Sequence, residues 1–539
     1  MASKSGFCLG GSGALWIKLL KQLQSDLGVE FSLLSGSDDL LVEPAFASAI
    51  KQQTLPLYRG VGIDGIHTDQ FQVDSNVLAD FREAELVCME IADRMDQGYS
   101  FSRHERERLY IQSLNLWLNT IEQLQPDFII FPTTPHSLVE YVLYAVAEKK
   151  RIPMLMFTQV TAIERVLAYT DYKDVSKNIV SSLANFLEEE HSTSLLSEDL
   201  QDYVEKFSQG YADVIPRYLK ERLEQHSTAS EQGLPESEST SALLIEKLSQ
   251  VGRYPEYAKR LATKVGEKVL KKTTDKTTRK TIPNYLKMPH QAFDQEQGLT
   301  VEQWHAYKAR AKEYKEQLMS SYQQYCVSAD ISKNFVYVPM HYQPERTTCP
   351  EGGRYSNQVL MLNVLSRCIP DDWNIIVKEN PSQLLPQAVH GERGRYAYVY
   401  EDIASIPKVS IVAIETDQFE LIENCRAVAT LTGTTGWEAL MKHKPVISFG
   451  HAWYAGCEGV FSVQDIAACQ QAVESIEEGF SVDVKKVRCF LAAVDQHSFK
   501  GFVNLKRYKD PVAGEQNNFD NMLPIMKHFV LTGEVKFKN

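Results

Sequence analysis

The stretch Asp127–Val160, DFIIFPTTPHSLVEYVLYAVAEKKRIPMLMFTQV, decides the fold. Its ends, DFIIFPTTP (127–135) and IPMLMFTQV (152–160), are short apolar runs that read as strands. Between them SLVEYVLYAVAEKKR (137–151) is apolar at Leu138, Tyr141, Val142, Tyr144 and Ala145, a helical stripe that closes in a basic last turn. Strand, helix, strand in so few residues is a βαβ unit, which implies a parallel sheet covered by helices.

The same rhythm runs on either side. FCLGG (7–11) and VEFSLLSG (29–36) add two earlier strands. A second series begins at NFVYVPMHY (334–342) and continues through a helix at 357–369, strands at 374–382 and 409–414, a helix at 417–425, a strand at 427–431, a helix at 436–443 and a strand at 445–450. Its strands end in polar or Gly residues: Met340–His341, Lys378–Glu379–Asn380, Glu415–Thr416, Thr432–Gly433 and Gly450–His451. Ligands of open parallel sheets bind outside the carboxyl ends of strands, so these residues are expected to share one crevice.

Between the two series lies a polar, helix-rich region with a linker-like segment, HSTASEQGLPESESTS (226–241), and a long helix at 301–327. A chain of 539 residues is too long for one core. The expectation is an α/β protein: two Rossmann-like domains facing a cleft, with a helical insertion. The boundaries expected are 1–168 for the first Rossmann-like domain, 169–332 for the insertion, 333–472 for the second Rossmann-like domain and 473–539 for a helical segment packing back across the domains.

A formal net charge of −13 argues against a whole-protein role on nucleic acid, which needs a basic face. The basic run Lys264–Lys280 is read as a solvated helical face, with contact to an anionic lipid or polymer as the alternative. Nine cysteines without a C-x-x-C pair fit a reducing cytosol rather than a disulfide framework or a zinc site. The N-terminal apolar stretch is interrupted by LGGSG before it could act as a signal segment, and no run approaches the ~18 apolar residues that span a bilayer. A cytoplasmic protein is expected, at most peripheral to the inner face of the membrane.

Several constellations carry chemistry. In LTGTTGWEAL, Gly433 and Gly436 flank Thr434 and Thr435 where a strand turns into a helix, a place where backbone N–H groups, hydroxyls and the helix dipole meet an anion. Thr435 to Glu438 equally fits a capping box that does no more than start the helix. Glu438 could instead accept both hydroxyls of a ribose. The polar loop MHYQPERTTCPEGG brings His341 and Arg346, the latter a candidate clamp for a phosphate or a sugar carboxylate. In the N-terminal half, His136 and Glu140 stand one turn apart at a helix start and form a candidate acid/base pair. Gly10, Gly11, Ser12 and Gly13 lie between strand and helix, and Asp38 and Asp39 are alternative bases.

The order strand, TGTTGWEAL, KPVISFG, HAWY resembles the C-terminal domain of bacterial capsule polysaccharide biosynthesis proteins, a group that includes β-Kdo glycosyltransferases of the GT-B fold; YVPMHYQPERTTCPEGG (337–353) and DDWNIIVKENPSQ (371–383) accompany it. The resemblance covers about 335–465 well and the N-terminal half in architecture only. It implies a metal-independent transferase that moves a sugar from a nucleotide-sugar, CMP-Kdo or a UDP-sugar, to a surface polysaccharide or its lipid-linked primer. On that reading Thr432, Gly433, Thr434, Thr435 and Gly436 hold the donor phosphate and Glu438 the ribose. One departure is Asn380 before Pro381, where the family carries a phosphate-binding His; Asn donates a hydrogen bond without charge, which Lys378 would supply. A sugar-nucleotide epimerase of the same fold and a non-catalytic capsule assembly or export factor, in contact with membrane or other assembly proteins, remain the alternatives.

Overall fold

The computed structural model describes residues 3–53, 57, 62–70, 72–95, 102–188, 196–209, 301–384, 394–508 and 510–537. The linker-like stretch 226–241 and the basic run 264–280 lie outside the described residues.

The N-terminal sheet holds β1 (Ser5–Gly11), β2 (Glu30–Gly36), β3 (Ile50–Gln53), β4 (Phe128–Ile130), β5 (Met154–Val160), β6 (Arg165–Tyr169) and, from the far end of the chain, β14 (Phe499–Lys500), in the order β14-β6-β5-β4-β1-β2-β3. Strands β1 to β5 are parallel. Strand β6 folds back antiparallel on β5 through a tight turn at 161–164, and β14 pairs antiparallel with β6. The second sheet is parallel throughout: β7 (Cys326–Val327), β8 (Phe335–Pro339), β9 (Asn374–Lys378), β10 (Val409–Val412), β11 (Ala427–Thr430), β12 (Val446–Ser448) and β13 (Val460–Ser462), ordered β13-β12-β11-β8-β9-β10-β7. The chain is thus an α/β protein with two parallel-sheet domains. Sequence patterning missed β3, β6, β7, β13 and β14, strands of two to five residues in which a two-residue period has no room to show.

The βαβ unit forms as its pattern predicts. Helix α2 (Leu138–Lys150) starts at the N-cap Ser137, which accepts the Glu140 amide, and ends in Lys149 and Lys150 with Arg151 in the left-handed conformation. Strand β4 stops at Ile130, short of the run ending at residue 135, because Pro132 and Pro135 cannot donate to a ladder.

The two domains exchange segments. Helices α3 (Lys177–Glu188) and α4 (Glu198–Gln209) leave the N-terminal domain, and Ile179 and Leu200 join the core of the second domain around Trp437 and Phe490. Helix α5 (Val301–Tyr325) leads into the second sheet, with Leu318 and Tyr322 in its core. In return, α7 (Val484–Gln496) ends in a crossing, after which β14 and α8 (Pro511–Thr532) belong to the first domain. Met522, Ile525, Met526 and Phe529 of α8 pack with Leu15, Leu19 and Leu23 of α1 (Gly13–Leu27) and with Phe128. Burying each such side chain stabilises by about 1.5–3 kcal/mol, so α8 is integral to the N-terminal domain. Where the crossings meet, Arg165 of β6 is 2% exposed and its guanidinium holds Asp199 of α4 at 2.8 Å and Asp495 of α7 at 3.0 Å.

Candidate functional site

Each sheet has one place where chain order reverses, and both carry the residues singled out above. In the first, β1 lies between β2 and β4, so successive connections leave in opposite directions and open a crevice at the carboxyl ends. A cavity of about 380 Å³ fills it, lined by Gly10 and Ser12 at the end of β1, Gly36 and Ser37 at the end of β2, Phe131 to Thr133 after β4, and His136 and Glu140. Both members of the expected acid/base pair therefore face one cavity. Glu140 accepts the Ser137 hydroxyl at 2.8 Å, which fixes it at the third position of α2. His136 Nδ1 stands 2.8 Å from the Thr134 carbonyl. A carbonyl only accepts, so Nδ1 carries the proton and Nε2 is the basic nitrogen. Asp38 and Asp39 are exposed at the start of a short helix and do not line this cavity; Asp38 accepts from Gln53 at 3.2 Å.

In the second sheet the reversal falls between β8 and β11. There His341, just past β8, places Nε2 2.8 Å from Thr430 Oγ1 and 3.1 Å from the Leu431 amide at the end of β11. His341 is buried, and burial followed by the nearby Arg395 charge pushes its pKa down to about 4. Helix α6 (Thr434–Met441) begins one step further on, with Gly433 as N-cap and no capping side chain. The capping box expected as the alternative at Thr435 to Glu438 does not form: Thr435 lies within the first turn, and the helix start is left to its own amides. Thr432, Thr434 and Thr435 are half-exposed there, and Thr432 Oγ1 donates to the Thr347 carbonyl at 2.8 Å.

The glycines of this turn answer to protein neighbours. A Cβ on Gly436 would stand 2.2 Å from Tyr454 Oη, and one on Gly433 would stand 2.9 Å from Thr430 Oγ1 and 3.1 Å from His341 Cε1. Tyr454 in turn donates to the Gly433 carbonyl at 2.6 Å. Glu438 is 5% exposed and its carboxylate lies 3.5 Å from Gln418 Nε2. Burial and, after it, the Glu438 charge push up the pKa of Tyr203, Tyr337 and Tyr454 around it.

The strand end Lys378–Glu379–Asn380 is turned into the protein. Lys378 Nζ donates to the Thr416 carbonyl at 2.5 Å, and burial pulls its pKa down. Asn380 Oδ1 accepts the Ser382 amide at 2.9 Å. Lys378 is thus turned toward a carbonyl, while the Asn380 bond engages only its oxygen. Between them Glu379, unremarked in the sequence, forms a buried pair with Arg395: Nε to Oε2 is 2.7 Å and Nη2 to Oε1 is 2.9 Å. Arg395 also donates to the His341 carbonyl at 2.8 Å and to Gln343 Oε1 at 2.6 Å, so the pair fixes the loop that carries His341.

Arg346 differs from the expected ligand clamp as well. Its Nη1 reaches into the other domain, to Thr133 Oγ1 and Thr158 Oγ1, each at 3.1 Å, and pairs with Glu351 of its own loop at 3.2 Å. Thr134 bridges back by donating to Glu351 at 2.8 Å. Ser356 adds a hydrogen bond to Glu90 at 2.7 Å, so the loop 345–356 docks the domains. That loop holds Thr432 at one end and the His136 turn at the other. No sequence signal marks Arg395 or Thr134 for these roles, because their partners Glu379 and Glu351 are 16 and 217 positions away. Among the described residues no three His, Cys, Asp or Glu side chains converge as a metal site requires.

The comparisons with known proteins bear on what this architecture belongs to. Among solved structures, the chain is similar to the KpsC beta Kdo 2,7 transferase of Thermosulfurimonas dismutans (9% identity, TM-score 0.28, covering 78% of this chain and 97% of that one). It is also similar to a UDP-GlcNAc 2-epimerase from Methanocaldococcus jannaschii (10%, 0.22, 91% and 99%) and a glycosyltransferase from Rickettsia africae (10%, 0.24, 99% and 100%). At these TM-scores the likenesses carry no argument. No curated protein sequence gives a significant match. A sequence profile, by contrast, matches residues 204–481, just over half of the chain, with both the polar loop 337–353 and the TGTTGWE turn inside it. Two facing parallel sheets and that match lead to one conclusion: the chain belongs to the capsule polysaccharide biosynthesis protein family.

Proposed function

We propose that this protein is a glycosyltransferase that moves a sugar from a nucleotide donor, CMP-Kdo or a UDP-sugar, onto a surface polysaccharide or its lipid-linked primer. The observation that carries the reading is the pairing of two crevices at chain-order reversals. One is an uncapped helix start with three half-exposed threonines, and the other a cavity with a histidine of fixed tautomer, joined by the loop 345–356.

The donor phosphate sits at Thr432 to Gly436, where helix amides and hydroxyls meet the negative charge that grows as the sugar departs. These groups take the role that a metal ion serves elsewhere. The acceptor enters the cavity, and His136 Nε2 takes the proton of its hydroxyl while Glu140 stands beside it as a proton relay. The new bond to the anomeric carbon forms as the bond to the phosphate oxygen breaks, and the electron pair leaves with the phosphate. Glu438, with Gln418 beside it, is the carboxylate that this reading assigns to the ribose. Lys378, Asn380 and Arg346 act at one remove, by holding strand ends and domains in place. The described residues contain no helix long and apolar enough to cross a membrane. The protein works at the cytoplasmic side, where both nucleotide-sugars and nascent polysaccharide are found.

The test is release of CMP or UDP from CMP-Kdo and a panel of UDP-sugars, with and without capsular oligosaccharide or lipid-linked primer. Acceptor-dependent release, lost in His136→Gln with nucleotide binding intact, supports transfer. Conversion of a UDP-sugar without acceptor would assign an epimerase instead, and no turnover of any donor would assign an assembly factor.

A further inference from the structure

We propose that Cys368 and Cys469 are an oxidisable dithiol, a site that a peroxide converts into a disulfide joining two helices of the second domain. The inference stands on how these helices pack and not on the transferase reading.

Cys368 is the last residue of the helix Gln358–Cys368, and Cys469 lies in the first turn of the helix Ile466–Glu477. The two helices pack side by side, and Leu365, Cys469, Ala472 and Val473 share one core, with Cys368 at its edge. The Cys368 thiol donates to the Ile466 carbonyl at 3.8 Å, so its sulfur lies against the turn that carries Cys469. The Cys469 thiol donates in turn to the Cys368 sulfur. Donors thus run in one direction, from Cys469 to Cys368 to Ile466, and bring sulfur to sulfur. Cys88, Cys425 and Cys489 differ, since each donates to a main-chain carbonyl instead. Tyr355 and Asp465 complete the surroundings: the tyrosine, at the end of the loop 345–356, donates to the Gln464 carbonyl at 3.3 Å, and the aspartate accepts the Ala468 amide at 2.8 Å.

The two sulfurs are not equivalent. Cys368 is half-buried, whereas Cys469 is 0% exposed. Burial pushes both thiols up; the hydrogen bond from Cys469 then draws Cys368 part of the way back, while the Cys368 charge and the same hydrogen bond push Cys469 further up. The thiolate is the nucleophile, so Cys368 reacts first and Cys469 resolves. The Cys368 thiolate attacks one oxygen of hydrogen peroxide, the O–O bond breaks, and the departing hydroxide takes up a proton as water. Cys469 then attacks the sulfenic sulfur: the S–S bond forms, the S–O bond breaks, and hydroxide leaves with the Cys469 proton as a second water. Two thiols lose two electrons and the peroxide gains them. Because burial keeps thiolate scarce near neutral pH, the step is slow beside that of a sensor cysteine with a depressed pKa. The bond closes a loop of about 100 residues, and the oxidised protein should melt about 4–16 °C higher.

The test is peptide mapping of the full chain without reductant, after exposure to hydrogen peroxide at mildly alkaline pH, on the parent, Cys368→Ala and Cys469→Ala. The parent should yield a Cys368–Cys469 linked peptide that a thiol reductant cleaves, and keep a cooperative melting transition at the higher temperature. Cys469→Ala should halt at a Cys368 sulfenic acid that dimedone traps, and Cys368→Ala should leave Cys469 reduced. Cys469→Ala removes a buried sulfur; where it does not fold, the parent map and Cys368→Ala still decide.

A parent whose other cysteines oxidise while Cys368 and Cys469 stay unlinked overturns the proposal. So does a link that forms only as the cooperative transition is lost, or one that joins two chains. Oxidation of Cys469 in Cys368→Ala at the parental rate overturns it as well, since the buried sulfur would then need no partner to react.

Discussion

Replacing Glu379 with Gln keeps the shape of a side chain while removing its charge, and the structure makes the consequence calculable. The Glu379 and Arg395 side chains are 0% and 2% exposed. Arg395 holds Glu379 through two hydrogen bonds, and Tyr400 donates a further one to Glu379 Oε2 at 2.8 Å. Glu379→Gln leaves the guanidinium buried without a counter-charge, a loss of about 3–5 kcal/mol. For a domain of 150–250 residues each kcal/mol moves the melting temperature by about 2–4 °C, so a fall of about 6–20 °C is expected. Arg395→Met strands the carboxylate and should lower the transition by a comparable amount. The double variant removes both charges at once, and its loss should be smaller than the sum of the two by at least about 2 kcal/mol. Differential scanning calorimetry on the four proteins gives the cycle. Single shifts below about 2 °C, or strict additivity, would refute the assignment of this pair as the strut under the His341 loop.

Three further outcomes follow from the geometry. Arg346→Met leaves Glu351 facing the threonines alone and should destabilise by about 2 kcal/mol, the low side of a buried pair because the Arg346 side chain is 20% exposed; an unchanged urea midpoint would remove its docking role. Gly436→Ala drives a methyl to 2.2 Å from Tyr454 Oη and should cost about 1–3 kcal/mol, part of which Tyr454→Phe in the same chain restores; an alanine variant as stable as the parent would contradict the packing. His341 titrates near 4 when folded and near 6.5 when unfolded, so the unfolded chain binds its proton first as pH falls. The stability this neutral ring contributes is present above pH 6.5 and lost toward pH 4, about 3 kcal/mol in all. The urea midpoint of the parent should accordingly fall relative to that of His341→Gln across that window, and parallel curves would exclude the effect.

The architecture was legible because long-range order and local pattern coincide in it. The run 127–160 shows its βαβ unit by period alone, and helix α6 is announced by Gly, Thr and Thr after an apolar strand. What escaped is what depends on partners far along the chain. Arg346 reads as a clamp for a phosphate or a sugar carboxylate, yet its hydrogen-bond partners Thr133 and Thr158 lie in the other domain. Lys378 reads as a ligand from its place at a strand end, but it is buried and donates to the Thr416 carbonyl. Glu438 fits a capping box by spacing; Tyr454, bonded to the Gly433 carbonyl, accompanies a helix start two residues earlier than that box requires. The cavity at His136 and Glu140 was approached from the right residues, although the tautomer that makes Nε2 basic depends on the Thr134 carbonyl, which no spacing reveals.

The central claim, that a nucleotide phosphate rests on the start of α6, is tested most directly by Thr434→Asp. An acidic residue in the first turn favours the helix and repels an anion, so fold and function are pushed in opposite directions. The measurement is the melting temperature with CMP and with UDP at about a hundred times the dissociation constant, where binding to the folded state alone contributes about 2.7 kcal/mol. The account predicts that the parent rises by several degrees with one of the two nucleotides, while Thr434→Asp melts no lower than the parent without nucleotide and gains nothing from it. An equal rise in both proteins, or no rise in the parent with either nucleotide, would contradict it.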